Sequence, residues 1–266
     1  MLQTPAIRPA ITTTDALKAT ALLLILVDHV GHFLLPDWPA LRAIGRLGAP
    51  IFFFLIGFAK TRTIPYRWLV LGIVLTGVDY LWTGTLDQIT LNILFNFALI
   101  RIVLPFIEAR LETGWTWPLG VLALCILALP FAGLVLEYGA EGWLFALAGL
   151  AQRRLLDHGA WWKIRRDATA LIAFGAYAMM ERQDYRFDSL MTALLIVALA
   201  MMAAVLHDFR RGDLARQPGP ALGALMQFCG RYSLEIYAAQ IILLAAAGGL
   251  WNLFDPTDTK ADDDDA

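Results

Sequence analysis

Charge is scarce in this sequence. Of 266 residues only 17% are charged, against 59% hydrophobic, and mean hydropathy is +0.61. A water-soluble domain of this length has too little interior to hide so much apolar surface, whereas lipid accepts it. A soluble globular class is thereby excluded, and an all-α, polytopic transmembrane helix bundle is expected. Cysteine is almost missing. Cys125 and Cys229 both fall in apolar stretches and read as small buried hydrophobes, not as a disulfide. Neither Cys nor His is spaced like a zinc motif, so no metal is expected. The net charge of −2 offers no bulk attraction to nucleic acid. A glycine-rich phosphate loop is absent too, so any nucleotide-like cosubstrate must be held by side-chain cations. No internal repeat is found. The opening MLQTPAIRPAITTTD lacks the apolar core and cleavage site of a signal peptide, so the first hydrophobic segment is expected to stay in the protein.

What the sequence has is hydrophobic segments. A spanning helix needs about 20 mostly apolar residues, and about nine candidates are counted, near 15–35, 41–59, 66–83, 89–109, 116–136, 140–156, 166–181, 187–207 and 221–253. Residues 1–254 are read as one membrane domain, and the acidic tail 255–266 as disordered. Lys60, Arg62, Arg67, Arg110, Arg153, Arg154, Lys163, Arg165, Arg166, Arg210, Arg211 and Arg216 cluster in alternate loops, while PDWP, TGTLDQ and LEYGAEG carry no Lys or Arg. That alternation predicts a cytoplasmic N-terminus and an outside C-terminus. Thr13 and Thr14 before Asp15, and Pro39, mark the first two helix starts.

The first segment, TDALKATALLLILVDHVGHF, holds groups that a span should avoid: Lys18, Asp28, His29 and His32. Lys18 and His29 are eleven residues apart, almost three turns, so they share a face about 16 Å apart. Ionisable groups within a span read by default as a functional site. In the second span Arg46 lies between Gly45 and Gly48, small residues that let backbones approach, so Arg46 is expected to face another helix and to need an anion: Asp28, Asp79 or a ligand phosphate. Arg42 is expected to snorkel to the outer surface. Asn92 and Asn96 stack on one face, either as structural glue or as ligand contacts, and Arg101 lies well inside its span. In the last span Arg231 and Glu235 are spaced to pair along the helix, and Ser233, Tyr237 and Gln240 form a second polar strip that predicts a polar cavity. Topology alone accounts for the dense arginines of 153–166; they equally fit a seat for phosphates.

TTDALKATALLLILVDHVGHFLLPD followed by LRAIGRLGAPIFFFLIGFAKTR resembles the opening of the TraX family, membrane proteins associated with acetylation of conjugative pilin. LNILFNFAL, YGAEGWLFAL and GRYSLEIYAAQIILL are similar to later blocks of that family. TraX-like proteins are in turn distantly similar to transmembrane acyltransferases of the acyltransferase-3 and heparan-glucosaminide acetyltransferase type. In the former a basic residue, ten residues and a histidine mark the first span, matched here by Lys18 and His29, and the second-span block is matched by Pro50 and Gly57. Where that group's last-span block often ends in histidine, Gln240 stands. The resemblance implies a multi-pass protein of the bacterial inner membrane that passes an acetyl group from acetyl-CoA to a pilin subunit, among membrane lipid.

On that reading His29 is the general base, since acyl transfer needs a group of near-neutral pKa to take the acceptor's proton. Asp28 or the partner of Arg46 is expected to orient it, and Arg46, Ser233 or Tyr237 to stabilise the oxyanion. Lys18, Arg153, Arg154, Lys163, Arg165 and Arg166 are expected at the coenzyme A phosphates. His32, Asp79, Asn92, Asn96, Arg101, Arg231, Glu235 and Gln240 are expected to line the substrate cavity with Ser233 and Tyr237. Three other readings stay open: a different donor, such as a phospholipid head group or longer acyl chain; a proton-coupled transporter; and a non-catalytic pilin assembly factor.

Overall fold

The computed structural model describes residues 10–83, 91–111, 116–117, 119–121, 123–124 and 136–254. Most of the expected fifth span, Cys125 and the acidic tail lie outside them. Among the described residues the protein is all-helical, with isolated bridges at Thr12–Asp213 and Leu91–Leu136 in place of strands. Among the described residues these α-helices have both ends defined, in chain order: α1 Thr13–Phe33, α2 Pro39–Gly45, α3 Gly48–Phe58, α4 Tyr66–Thr83, α5 Ile93–Leu111, α6 Gly139–His158, α7 Lys163–Asp184, α8 Ser189–His207, α9 Pro220–Arg231 and α10 Ser233–Phe254.

The cap of α1 lies one residue before the expected threonines. Thr12, not Thr13 or Thr14, is the N-cap: its hydroxyl accepts from the Asp15 amide at 3.1 Å while the Asp15 carboxylate accepts from the Thr12 amide at 3.1 Å. This reciprocal box satisfies two of the helix's orphan donors. Helix α2 opens on Pro39, whose missing N–H costs nothing in a first turn.

The hub is α3, GAPIFFFLIGF, buried from Gly48 through Gly57. A helix apolar on every side belongs in the middle of a bundle, and α3 packs chiefly on α6 and also on α1 and α5. Its crossing with α6 is backbone on backbone. A Cβ at Gly57 would lie 1.7 Å from the Ala146 carbonyl oxygen, and one at Gly149 would lie 2.0 Å from that of Phe54. Around this crossing α7 packs on α6, α1 on α2, α9 and α10, and α4 on α5 and α10.

The span count differs from the expectation of nine. Among the described residues three helical segments are long and apolar enough to cross a membrane: α1, the stretch Pro39–Phe58 and α8. A fourth counts only if α9 and the start of α10 form one span, and these meet at 86°. Helices α5 to α7 fail because charges interrupt them: Arg101, Glu108 and Arg110; Glu141, Arg153, Arg154 and Asp157; and seven charged groups between Lys163 and Asp184. The expected ninth span is therefore broken at Tyr232, which ends α9.

Candidate functional site

Gly45 of α2 rests directly on α1: a Cβ there would come 2.3 Å from the Asp28 backbone nitrogen. This contact holds Arg46, at the end of α2, against α1 and α7, as the neighbouring glycines led us to expect. Its guanidinium Nε donates to both Glu181 oxygens at 3.0 and 2.9 Å, its Nη1 donates to the Tyr138 hydroxyl at 2.7 Å, and Asp28 Oδ2 lies 3.8 Å from Nη1. Tyr177 closes the unit, its hydroxyl donating at 2.7 Å to the Arg46 carbonyl, which the end of α2 leaves without a helical partner. The anion required is thus Glu181 first and Asp28 second; Asp79 lies elsewhere. Arg42 does not snorkel: it pairs with Asp28 at 3.0 Å and donates to the Tyr185 hydroxyl at 2.6 Å. Asp28 and Arg46 therefore serve a buried ion network, and neither lines the cavity that holds His29.

That cavity, about 260 Å³, is lined by His29 and His32 of α1, Asp79 and Thr76 of α4, Asn92, Glu137, and Tyr237 of α10. The His29 ring centroid lies 5.9 Å from that of Tyr237, and His29 Nδ1 is buried with no hydrogen-bond partner. Asn92 donates to the Gly72 carbonyl at 2.6 Å and to the Thr76 hydroxyl at 3.0 Å, tying α5 to α4. Asn96, fully buried, donates to the Glu137 carbonyl at 2.9 Å and accepts from the Trp143 indole at 3.0 Å. It is glue for the turn before α6. In that turn burial pushes the Glu137 carboxyl above the ordinary glutamate range, partly offset by the Ile93 amide that donates to it at 2.9 Å.

A second cavity of about 290 Å³ surrounds Lys18 at the other end of α1. It gathers five cations, Lys18, Arg67, Arg101, Arg211 and Arg231, with one carboxylate, Glu235. The expected Arg231–Glu235 pair along one helix is replaced, because the bend separates them: Glu235 pairs with Arg67 at 2.8 Å. Lys18 donates to the Gly230 carbonyl at 3.2 Å, near the C-terminus of α9, where helix dipole and unpaired carbonyls favour a cation. Arg101 lies over the Trp68 ring at 4.3 Å, and its Nε is buried without a hydrogen-bond partner.

Ser233, Tyr237 and Gln240 are all buried, as their spacing predicted. Ser233 lines the Lys18 cavity and Tyr237 the His29 cavity. Between the two lies a void of only about 10 Å³, walled by Ile25, Phe52, Phe97, Ser233, Leu234 and Tyr237, at the lower limit for one water.

The arginines of 153–166 sit apart from both chambers. Arg153 and Arg154, with Arg62, converge on Glu108; Arg166 binds Gln152, Asp167 and the His207 carbonyl; Arg165 stacks on Trp161 at 3.9 Å. Lys163 is exposed at the start of α7. Sequence reasoning missed Glu181, Tyr138, Glu137 and Arg67 as site residues. All four had been assigned to loops.

A 57-residue stretch is 39% identical to the uncharacterized protein RP591 of Rickettsia prowazekii (strain Madrid E), taking in 20% of this chain and 23% of that protein. The chain thus matches about a quarter of that relative's length. No solved structure matches. The family model described as TraX protein matches residues 13–216, from the first residue of α1 to the loop after α8, and takes in both ends of the Lys18–His29 strip. The chain belongs to the TraX family.

Proposed function

We propose that this protein is a membrane-embedded acyltransferase that moves an acetyl group from acetyl-CoA to the terminal amine of a conjugative pilin subunit. The observation that carries the reading is the pair of chambers on one unbroken helix: a cationic one at Lys18 and one at His29, eleven residues along α1, hence about 16 Å apart. That distance is comparable to an extended pantetheine arm. In this reading the phosphates of acetyl-CoA sit among Lys18, Arg101, Arg211 and Arg231, which replaces the 153–166 cluster as the seat, and the unpartnered Arg101 Nε is one donor for them. His29 Nδ1 takes the acceptor's proton, and the Tyr237 hydroxyl, on the shared wall, donates to the developing oxyanion. The void between the chambers is too narrow for a thioester arm, so delivery requires the Phe52 and Phe97 rings to swing aside.

The test is intact-mass analysis of pilin co-expressed with the wild-type protein, with His29→Ala, or alone. The expected result is one acetyl group added by the wild type and none by His29→Ala. A different mass shift identifies another donor. Co-purification of unmodified pilin with both forms supports the assembly-factor reading and overturns this one.

A further inference from the structure

The two chambers differ in sign. The Lys18 chamber holds five cations and one carboxylate, whereas the His29 chamber is lined by two carboxylates, Asp79 and Glu137, and by no lysine or arginine among the described residues. A polar cavity lined by carboxylates, half-buried Glu137 and Asp79 at the exposed side, stabilises a cation and gives a neutral group of the same size little.

Glu137 is held in place with unusual care. Its amide donates to the Leu91 carbonyl at 2.9 Å, its carbonyl accepts from Asn96 at 2.9 Å, and its Oε2 accepts from the Ile93 amide at 2.9 Å. The next residue, Tyr138, takes a left-handed conformation with φ 58. That geometry is unfavourable for a bulky side chain, and it is held by the Arg46 guanidinium, which donates to the Tyr138 hydroxyl and lies 4.4 Å over its ring. The turn thereby sends adjacent side chains to different places: Tyr138 to the arginine network and Glu137 to the chamber. The second mark of a ligand is His29 Nδ1, buried beside the same cavity with no partner. An ammonium has three donors, a match for two carboxylates and an imidazole nitrogen.

We propose that the His29 chamber is a selective site for a primary ammonium, held by Glu137 and Asp79, so that an amine is chosen over a hydroxyl. Its catalytic meaning rests on the transferase reading; the binding itself does not. A chamber of about 260 Å³ lies just below the usual range of small-molecule pockets and takes the end of a chain, not a folded domain. The chemistry balances. The ammonium gives one proton to Glu137 and becomes a neutral amine. Its nitrogen forms the new bond to the thioester carbonyl carbon, the carbon–sulfur bond breaks, and the second proton passes by way of His29 to the departing thiolate. The products are an amide and a free thiol, and Glu137 returns its proton to water.

The experiment measures binding, without catalysis. Full-length protein in lipid nanodiscs is titrated by calorimetry with an apolar six-residue peptide bearing a free α-amine, and with the same peptide bearing a hydroxyl in its place. Loss of a charge-assisted contact is worth about tenfold in affinity, so the wild type is expected to prefer the amine by about that factor or more. Glu137→Gln keeps an acceptor for the Ile93 amide and is expected to bring the ratio near one; Asp79→Asn is expected to lower it and carries the test if Glu137→Gln does not fold. Equal binding of the two peptides by the wild type, or an unchanged ratio in both variants, overturns the proposal. A retained amine preference without any acetyl transfer refutes the transferase reading alone.

Discussion

Removing Glu181 takes from Arg46 its closest anionic partner. Glu181 is 3% exposed and accepts both of its close contacts from Arg46 Nε, at 3.0 and 2.9 Å. In Glu181→Ala the guanidinium keeps Tyr138 at 2.7 Å and Asp28 at 3.8 Å, but Asp28 is already shared with Arg42 at 3.0 Å. Breaking a buried pair on one side costs about 3–5 kcal/mol because the remaining charge stays buried. The retained contacts place this case at the lower end, about 3 kcal/mol. For a chain of this size each kcal/mol moves Tm by about 2–4 °C, so the expected fall is on the order of 6–12 °C. The assay is thermal unfolding of purified protein in one detergent, alongside Arg46→Met and the double variant Arg46→Met/Glu181→Leu. An apolar pair of similar volume removes both charges together, so the double variant is expected to melt above either single one. A Glu181→Ala protein that melts within about 2 °C of wild type, roughly the effect of 1 kcal/mol or less, would refute the view that this network holds α2 to α7.

Gly57→Ala is expected to abolish accumulation of folded protein, since its Cβ would sit 1.7 Å from a backbone oxygen that no rotamer change can move; fluorescence-detected size exclusion of a tagged form reads this directly, and a monodisperse peak would contradict it. Arg101→Leu removes a donor from the Lys18 chamber, and acetyl-CoA binding to the solubilised protein is expected to weaken about tenfold, as for loss of one charged hydrogen bond. The same loss at raised salt should be smaller, because screening already weakens the site; equal losses at both salt levels would count against a phosphate seat.

Much of this was legible in the residues themselves. The helix-facing Arg46 and the buried Ser233–Tyr237–Gln240 strip both follow from local spacing, which one helix enforces by itself. The partners of Arg46 were not legible: Glu181 is 135 positions away and Tyr138 is 92, and which carboxylate meets which arginine is decided by helix packing. Arg42 shows the same limit, since a terminal arginine reads as snorkelling until Asp28 is seen beneath it. The span count failed for a different reason. Apolar windows were counted through charges such as half-buried Arg101 and buried Arg166, which the bundle stabilises with Trp68 and with Gln152, and which a lipid-facing helix would not tolerate. The Arg231–Glu235 pair assumed that α9 and α10 were one rod.

That break has a consequence for water. The amides in the first turn of a helix find no carbonyl ahead of them, and hydrocarbon offers none. Helix α10 begins at Ser233, and Ser233, Leu234 and Glu235 all border the Lys18 chamber. The corner at Tyr232 therefore obliges that chamber to be hydrated, so on the proposed transferase reading an anionic donor arrives in a wet vestibule and meets oil only at the phenylalanine rings beyond it.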